Sequence, residues 1–229
     1  MFTGFTPKTF TFLDELGMNN SKQWFEEHRS EFEKDLKKPF EALVADMASA
    51  MQLIDPKFDI EPKRCVSRIH RDVRFSADKS PYRTNLWLAF KRPSPEWKTQ
   101  PAYFFEIFPD HFRYGMGFFM TPKPVAELVR TAILEREQSF MALYNDFQRQ
   151  SHFRLAGDTY KRVLNPNLPE DLLAWNQHKE FWFMADGAND ERLQGPELAT
   201  SLSKAFTELS PWYHYFMNLC DICRDASGK

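Results

Sequence analysis

Apolar residues recur every three or four positions through the first quarter of the chain and every second position in the stretch that follows, so the sequence predicts helix first and sheet second. Thr6-Pro7 reads as a cap with proline at the first helical position, and Phe10, Leu13 and Leu16 then mark one face of a short helix ending at Gly17. Asn20 or Ser21 can cap a second helix, in which Trp24, Phe25, Phe32 and Leu36 form an apolar stripe beside Glu26-Glu27-His28-Arg29. Pro39 interrupts that stripe, and Phe40, Leu43, Val44, Met47 and Met51 carry it on toward Asp55-Pro56. Residues 6–54 are therefore expected to be helical.

Past Pro62 the residues become β-branched and aromatic. From 64 to 75, Arg64, Arg68, His70, Asp72 and Arg74 alternate with Cys65, Ile69, Val73 and Phe75, with Val66 and Arg71 as exceptions. Val66, Ile69 and Val73 also fit a helical spacing, but the Val and Ile content favours an extended strand. Ser80-Pro81 predicts a turn, Leu86–Phe90 a buried strand, and residues 102–108 and 112–120 a hairpin closed around Pro109-Asp110-His111. Residues 64–120 thus read mainly as strands.

Residues 121–225 read as mixed. Val125, Leu128, Val129 and Ile133 lead a helical pattern into Phe140, Leu143 and Phe147. Residues 153–155 and 160–163 fit a second hairpin around Gly157-Asp158. A short helix at 169–175, a strand at 181–184, a helix from Gly195-Pro196 and another from Ser210-Pro211 complete the list. With no internal repeat and no low-complexity linker, the expectation is one α+β domain over residues 1–229, an antiparallel sheet covered by helices from both ends of the chain.

Composition narrows this picture modestly. Aromatics make up 16% of the 229 residues, 23 of them Phe, so the core is expected to be built from rings. No basic-then-apolar leader opens the chain and no run approaches the roughly 20 apolar residues that span a bilayer, so a cytoplasmic protein with no membrane association is expected. Three cysteines suit a reducing compartment, and Cys220 and Cys223, a lone pair three apart, read as packing residues. Neither a phosphate loop nor a metal-ligand set is visible, and no cofactor is expected.

Charge changes the picture more. Between Lys63 and Arg83 there are seven Lys or Arg against Asp72 and Asp78, a local balance of +5 in a chain whose formal charge is −2. Arginine's planar fork adds geometry to this charge, since it can hold a carboxylate or phosphate through two parallel hydrogen bonds. His70 could act as acid or base, but no nearby Ser or Cys has the setting of an activated nucleophile, so neither an enzyme nor a non-enzyme is assigned.

The pattern Arg68, Arg71-Asp72, Arg74-Phe75, Asp78-Lys79, Tyr82 resembles the signature of a bacterial and fungal family catalogued as domain of unknown function 2461, and every fixed position matches. Trp24-Phe25 followed by His28-Arg29 is similar to that family's N-terminal region. The resemblance implies that these residues act as one unit and implies no particular reaction.

Two arrangements satisfy the motif. In the favoured one, Arg68, Arg74 and Lys79 hold a compact anionic ligand, for example a phosphate-bearing one, with Arg71 also among the ligand-binding residues, while Asp72 and Asp78 fix the cations and Tyr82 closes the site with a hydrogen bond. In the other, Arg71 pairs with Asp78, and Asp72 with Arg68 or Arg74, in an internal network whose excess charge is met by Glu106, Glu26 or Glu27, and the surface serves a protein partner. Nucleic-acid binding through the basic island ranks third.

Overall fold

The computed structural model describes residues 1–74 and 77–226. Helix α1 (Pro7–Met18) begins where Thr6-Pro7 predicts, with the Thr6 N–H donating to Thr9 Oγ1 at 3.3 Å. Helix α2 (Lys22–Glu27) is capped by Ser21, whose hydroxyl accepts from the Trp24 N–H at 3.3 Å. A single turn, α3 (Arg29–Glu31), and a wide π-type turn over Phe32–Lys37 then lead into α4 (Lys38–Ile54).

Pro39 explains the wide turn, because its nitrogen cannot donate to the carbonyl four residues back and its ring crowds that carbonyl. The carbonyl in question belongs to Asp35, and the fully buried Thr9 hydroxyl donates to it at 2.6 Å. The defect that proline puts into one helix is thus satisfied by a side chain from another.

The strand expected over 64–75 does not form. Pro62 instead opens a short helix α5 (Pro62–Cys65), after which Val66 and His70 make only isolated antiparallel bridges, to Leu88 and Tyr82. The physical reason lies in the aspartates. Asp72 Oδ1 accepts from the Arg74 N–H at 3.2 Å and Asp78 Oδ1 from the Ser80 N–H at 2.9 Å, two local turns that take up backbone donors a sheet ladder would need. Phe75 lies outside the described residues.

The sheet contains β1 (Leu86–Phe90), β2 (Pro101–Ile107), β3 (His111–Phe118), β4 (Arg154–Ala156) and β5 (Trp182–Ala188) in the order β1-β2-β3-β5-β4, and it is antiparallel. With the helices it makes an α+β fold. Helices α6 (Lys123–Glu135), α7 (Gln138–Gln148), α8 (Glu170–Asn176), α9 (Glu197–Glu208) and α10 (Ser210–Ala226) occupy the second half. The predicted hairpin around Gly157 is corrected: β4 pairs with β5, setting Leu155 against Phe183, and residues 160–163 form no strand. Gly115 and Gly117 mark a close approach to that same strand, since a Cβ on Gly115 would lie 1.8 Å from the Phe183 carbonyl oxygen.

The chain divides into two compact units. One comprises residues 1–92, 104–114 and 186–207, and its core is aromatic, with Phe5 ringed by Phe2, Phe40 and Phe105 at centroid distances of 5.2, 5.0 and 6.0 Å. The other comprises 93–103, 115–185 and 208–229, where Trp212 packs against Phe183 at 5.0 Å and Trp175 at 5.2 Å. Among the described residues no helix is long and apolar enough to cross a membrane.

Candidate functional site

The charged motif belongs wholly to the first unit. Its backbone runs out from the Val66 bridge, turns at Asp72 and again at Asp78, and returns alongside itself, with the Arg71 N–H donating to the Pro81 carbonyl and the Arg83 N–H to the Ile69 carbonyl, each at 2.9 Å. Burial alternates on the outgoing arm: Ile69 is buried and Arg71 half-buried, while Arg68, His70 and Asp72 are exposed. The arm is therefore extended and two-faced, although it is not a sheet strand.

Its inner side is fastened at one point. Tyr82, 2% exposed, stacks on the fully buried Phe25 of α2 with ring centroids 4.1 Å apart and planes 18° from parallel. Asn20, just before the α2 cap, grips the Tyr82 backbone from both ends: its Oδ1 accepts from the Tyr82 N–H and its Nδ2 donates to the Tyr82 carbonyl, both at 3.0 Å. Arg71 joins them, donating to the same carbonyl at 3.3 and 3.4 Å and pairing with Asp78 at 3.1 Å. Arg71, Asp78, Tyr82 and Asn20 form one knot holding the loop to the helix.

The outer side carries the other cations. Arg74, 75% exposed, makes a two-pronged bond to Asp72 at 2.7 and 2.9 Å, and the Lys79 ammonium donates to the Val73 carbonyl at 2.9 Å. Arg68 is exposed and lies near enough to Asp72 to help hold its carboxyl low. The hydrogen bonds from Arg74 are the larger cause, and they keep Asp72 far below the usual carboxylate range. Asp78 is held low as well, first by hydrogen bonds from the Ser80 side chain and N–H and then, after burial is counted against it, by the charge of Arg71.

The three carboxylates from elsewhere bond partners outside the motif. Glu106, nearly buried on β2, pairs with Arg113 of β3 at 2.6 Å and accepts from Asn85 Nδ2. Glu26 binds Arg29 through two contacts of 2.6 and 2.9 Å, and Glu27 accepts from Gln23. Asp78 pairs with Arg71 and Asp72 with Arg74, and neither pair includes Arg68 or Lys79.

Sequence reasoning placed Asn20 only as a possible cap and Phe25 only as part of an apolar stripe. Asn20 carries no local signal for its partner, which is 62 residues away. Phe25 had one: it sits in the Trp-Phe segment noted beside the motif. His70 touches this contact too, its ring 5.1 Å from Tyr82 and 6.2 Å from Phe25. Among the described residues no group of three or more His, Cys, Asp or Glu could hold a metal ion.

Comparison with curated proteins finds no match. The family model described as "conserved hypothetical protein (DUF2461)" matches residues 8–215, a span that includes Asn20, Phe25 and the whole motif loop. That coverage means that the chain belongs to the DUF2461 family.

Proposed function

We propose that the outer face of the motif loop binds a compact anionic ligand carrying a phosphate group, with Arg68, Arg74 and Lys79 supplying the charge. The observation that carries this reading is the split within the motif. Arg71 and Asp78 spend their side chains, and Tyr82 its ring and backbone, on the loop's own attachment, whereas Arg68, Arg74 and Lys79 are exposed, and of these three it is Arg74 that pairs with Asp72. Asp72 holds Arg74 in a fixed orientation, which lowers the entropy a ligand must remove to bind it. Exposed cations in a generally acidic chain also concentrate an anion at this one place.

The internal-network reading is favoured for the inner residues by the knot around the Tyr82 carbonyl, so the two readings divide the motif between them. Titration calorimetry with inorganic phosphate tests the division. Arg74→Ala and Lys79→Ala are expected to lose binding with an unchanged unfolding midpoint, and Arg71→Ala to lower the midpoint. Unchanged phosphate affinity in an Arg68→Ala/Arg74→Ala double variant would refute the reading. Retention of a nucleic acid on a filter at low salt, with no phosphate response, would replace it by nucleic-acid binding.

A further inference from the structure

The outer face does not stop at Arg68. Because the outgoing arm is extended, Arg68, His70 and Asp72 follow one another on the same side at intervals of about 6.5–7 Å. His70 nonetheless reaches α2 across its bridge to Tyr82, where its ring meets Phe25 and Tyr82. Arg29 lies over the same Phe25 ring, its guanidinium carbon 5.4 Å from the centroid. Three groups able to donate to an anion therefore surround one buried ring: the Arg29 guanidinium, the His70 imidazole and the Tyr82 phenol.

Their partners are informative. Arg29 is claimed by Glu26, in an exposed two-contact pair. Tyr82 is 2% exposed, and among the described residues its hydroxyl has no hydrogen-bond partner; the His70 ring nitrogens have none either. The Glu26 carboxylate is held low first by its hydrogen bond to Arg29, with smaller pulls from Lys22 and His70, and its charge acts together with burial to push Tyr82 up. Glu26 thus sits among the three donors as a negative group coupled to each of them.

We propose that Arg29, His70 and the Tyr82 hydroxyl form a second anion position beside Arg68 and Arg74, in which Glu26 is a resident counter-ion that a ligand displaces. The site as a whole then takes a ligand with two separated anionic groups, such as a compound bearing two phosphoryl groups, and not a lone phosphate. The inference rests on the anion-binding reading of the motif face and extends it to α2. It also gives Glu26 a role: Glu26 competes for Arg29, so the second position fills only when the ligand's other end is already anchored.

The test compares inorganic phosphate with inorganic tripolyphosphate by calorimetry on the full chain. The wild type is expected to bind tripolyphosphate at least about ten-fold more tightly, the difference that one charge-assisted contact supplies. Arg29→Ala, His70→Ala and Tyr82→Phe should each shrink that preference while leaving phosphate affinity unchanged. Glu26→Gln should enlarge it, by freeing Arg29. If these four variants all match the wild type toward tripolyphosphate while Arg68→Ala/Arg74→Ala weakens both probes, the second position is refuted and the first stands. If the double variant leaves both probes unaffected, or the wild type binds neither, both readings fall. Because Arg29, His70 and Glu26 are exposed and Tyr82→Phe keeps the stacked ring, the variants test binding without removing the fold.

Discussion

Two arginine–carboxylate pairs in the same unit show how one kind of chemistry serves two purposes. Glu106–Arg113 joins adjacent strands, with side chains 9% and 31% exposed and with Asn85 taking the second carboxylate oxygen. Asp72–Arg74 lies within three residues of a loop, with side chains 49% and 75% exposed. In the first, the carboxylate is largely shielded from water, so removing it disrupts a partly buried network. In the second, water can replace whatever is removed, so the pair orders a guanidinium and contributes little to holding the fold. The lesson is that partner distance does not separate structural from functional charge, whereas burial does.

Four changes would break or sharpen this contrast. The largest effect is expected from Phe25→Ala, which removes a fully buried ring on which Tyr82 stacks; about 3–5 kcal/mol of unfolding free energy should be lost in denaturant titration. Glu106→Ala removes the carboxylate that Arg113 and Asn85 share and should cost about 3 kcal/mol, the low end for a buried pair because Arg113 can still reach water. A cost indistinguishable from zero there would erase the contrast between the two pairs. Asn20→Ala removes both hydrogen bonds to the Tyr82 backbone and should cost about 1–3 kcal/mol. It should also weaken phosphate binding, since the loop then loses its fixed return path. Smallest of all, Arg74→Ala should leave the unfolding midpoint where it is; a clear fall would place that residue with Glu106 and Arg113.

Acid offers a milder probe. Asp78 is held below the ordinary carboxylate value, so its contribution to the folded state is complete above the unfolded value of about 4 and is lost as pH falls through the lower folded value. The Arg71 tie should therefore loosen only in strong acid, and Asp78→Asn should abolish that part of the acid dependence. Cys65 supplies an internal control for intact folding. Burial and the nearby Asp59 push its thiol up to about 12, so labelling by a thiol reagent near pH 8 should require unfolding.

Much of this was legible in the order of residues. Thr6-Pro7, Ser21 and Ser210-Pro211 announce helix starts through capping chemistry that involves near neighbours only, and the starts fall where expected. The strand at Leu86–Phe90 follows from an unbroken apolar run and the hairpin after it from the turn at Pro109-Asp110-His111. The motif strand fails as an expectation although alternation and Val and Ile content both favour it. Asp72 and Asp78 carried the contrary signal, as residues that bond their own backbone two positions on. β4 could not be assigned a partner from local sequence, because a three-residue strand has too little pattern to choose among neighbours.

By itself the sequence determined the α+β class, most element starts, the ring-built core and the location of the charged loop, since each rests on periodicity, capping or local charge. Only the tertiary structure decided which motif residues face inward. That choice depends on Asn20 and Phe25 arriving from α2 to occupy the Tyr82 backbone and ring, contacts made across about sixty residues of chain. The same folding step that buries Tyr82 leaves Arg68, Arg74 and Lys79 in water, while His70, the bridge partner of Tyr82, stays exposed at the edge of the same contact.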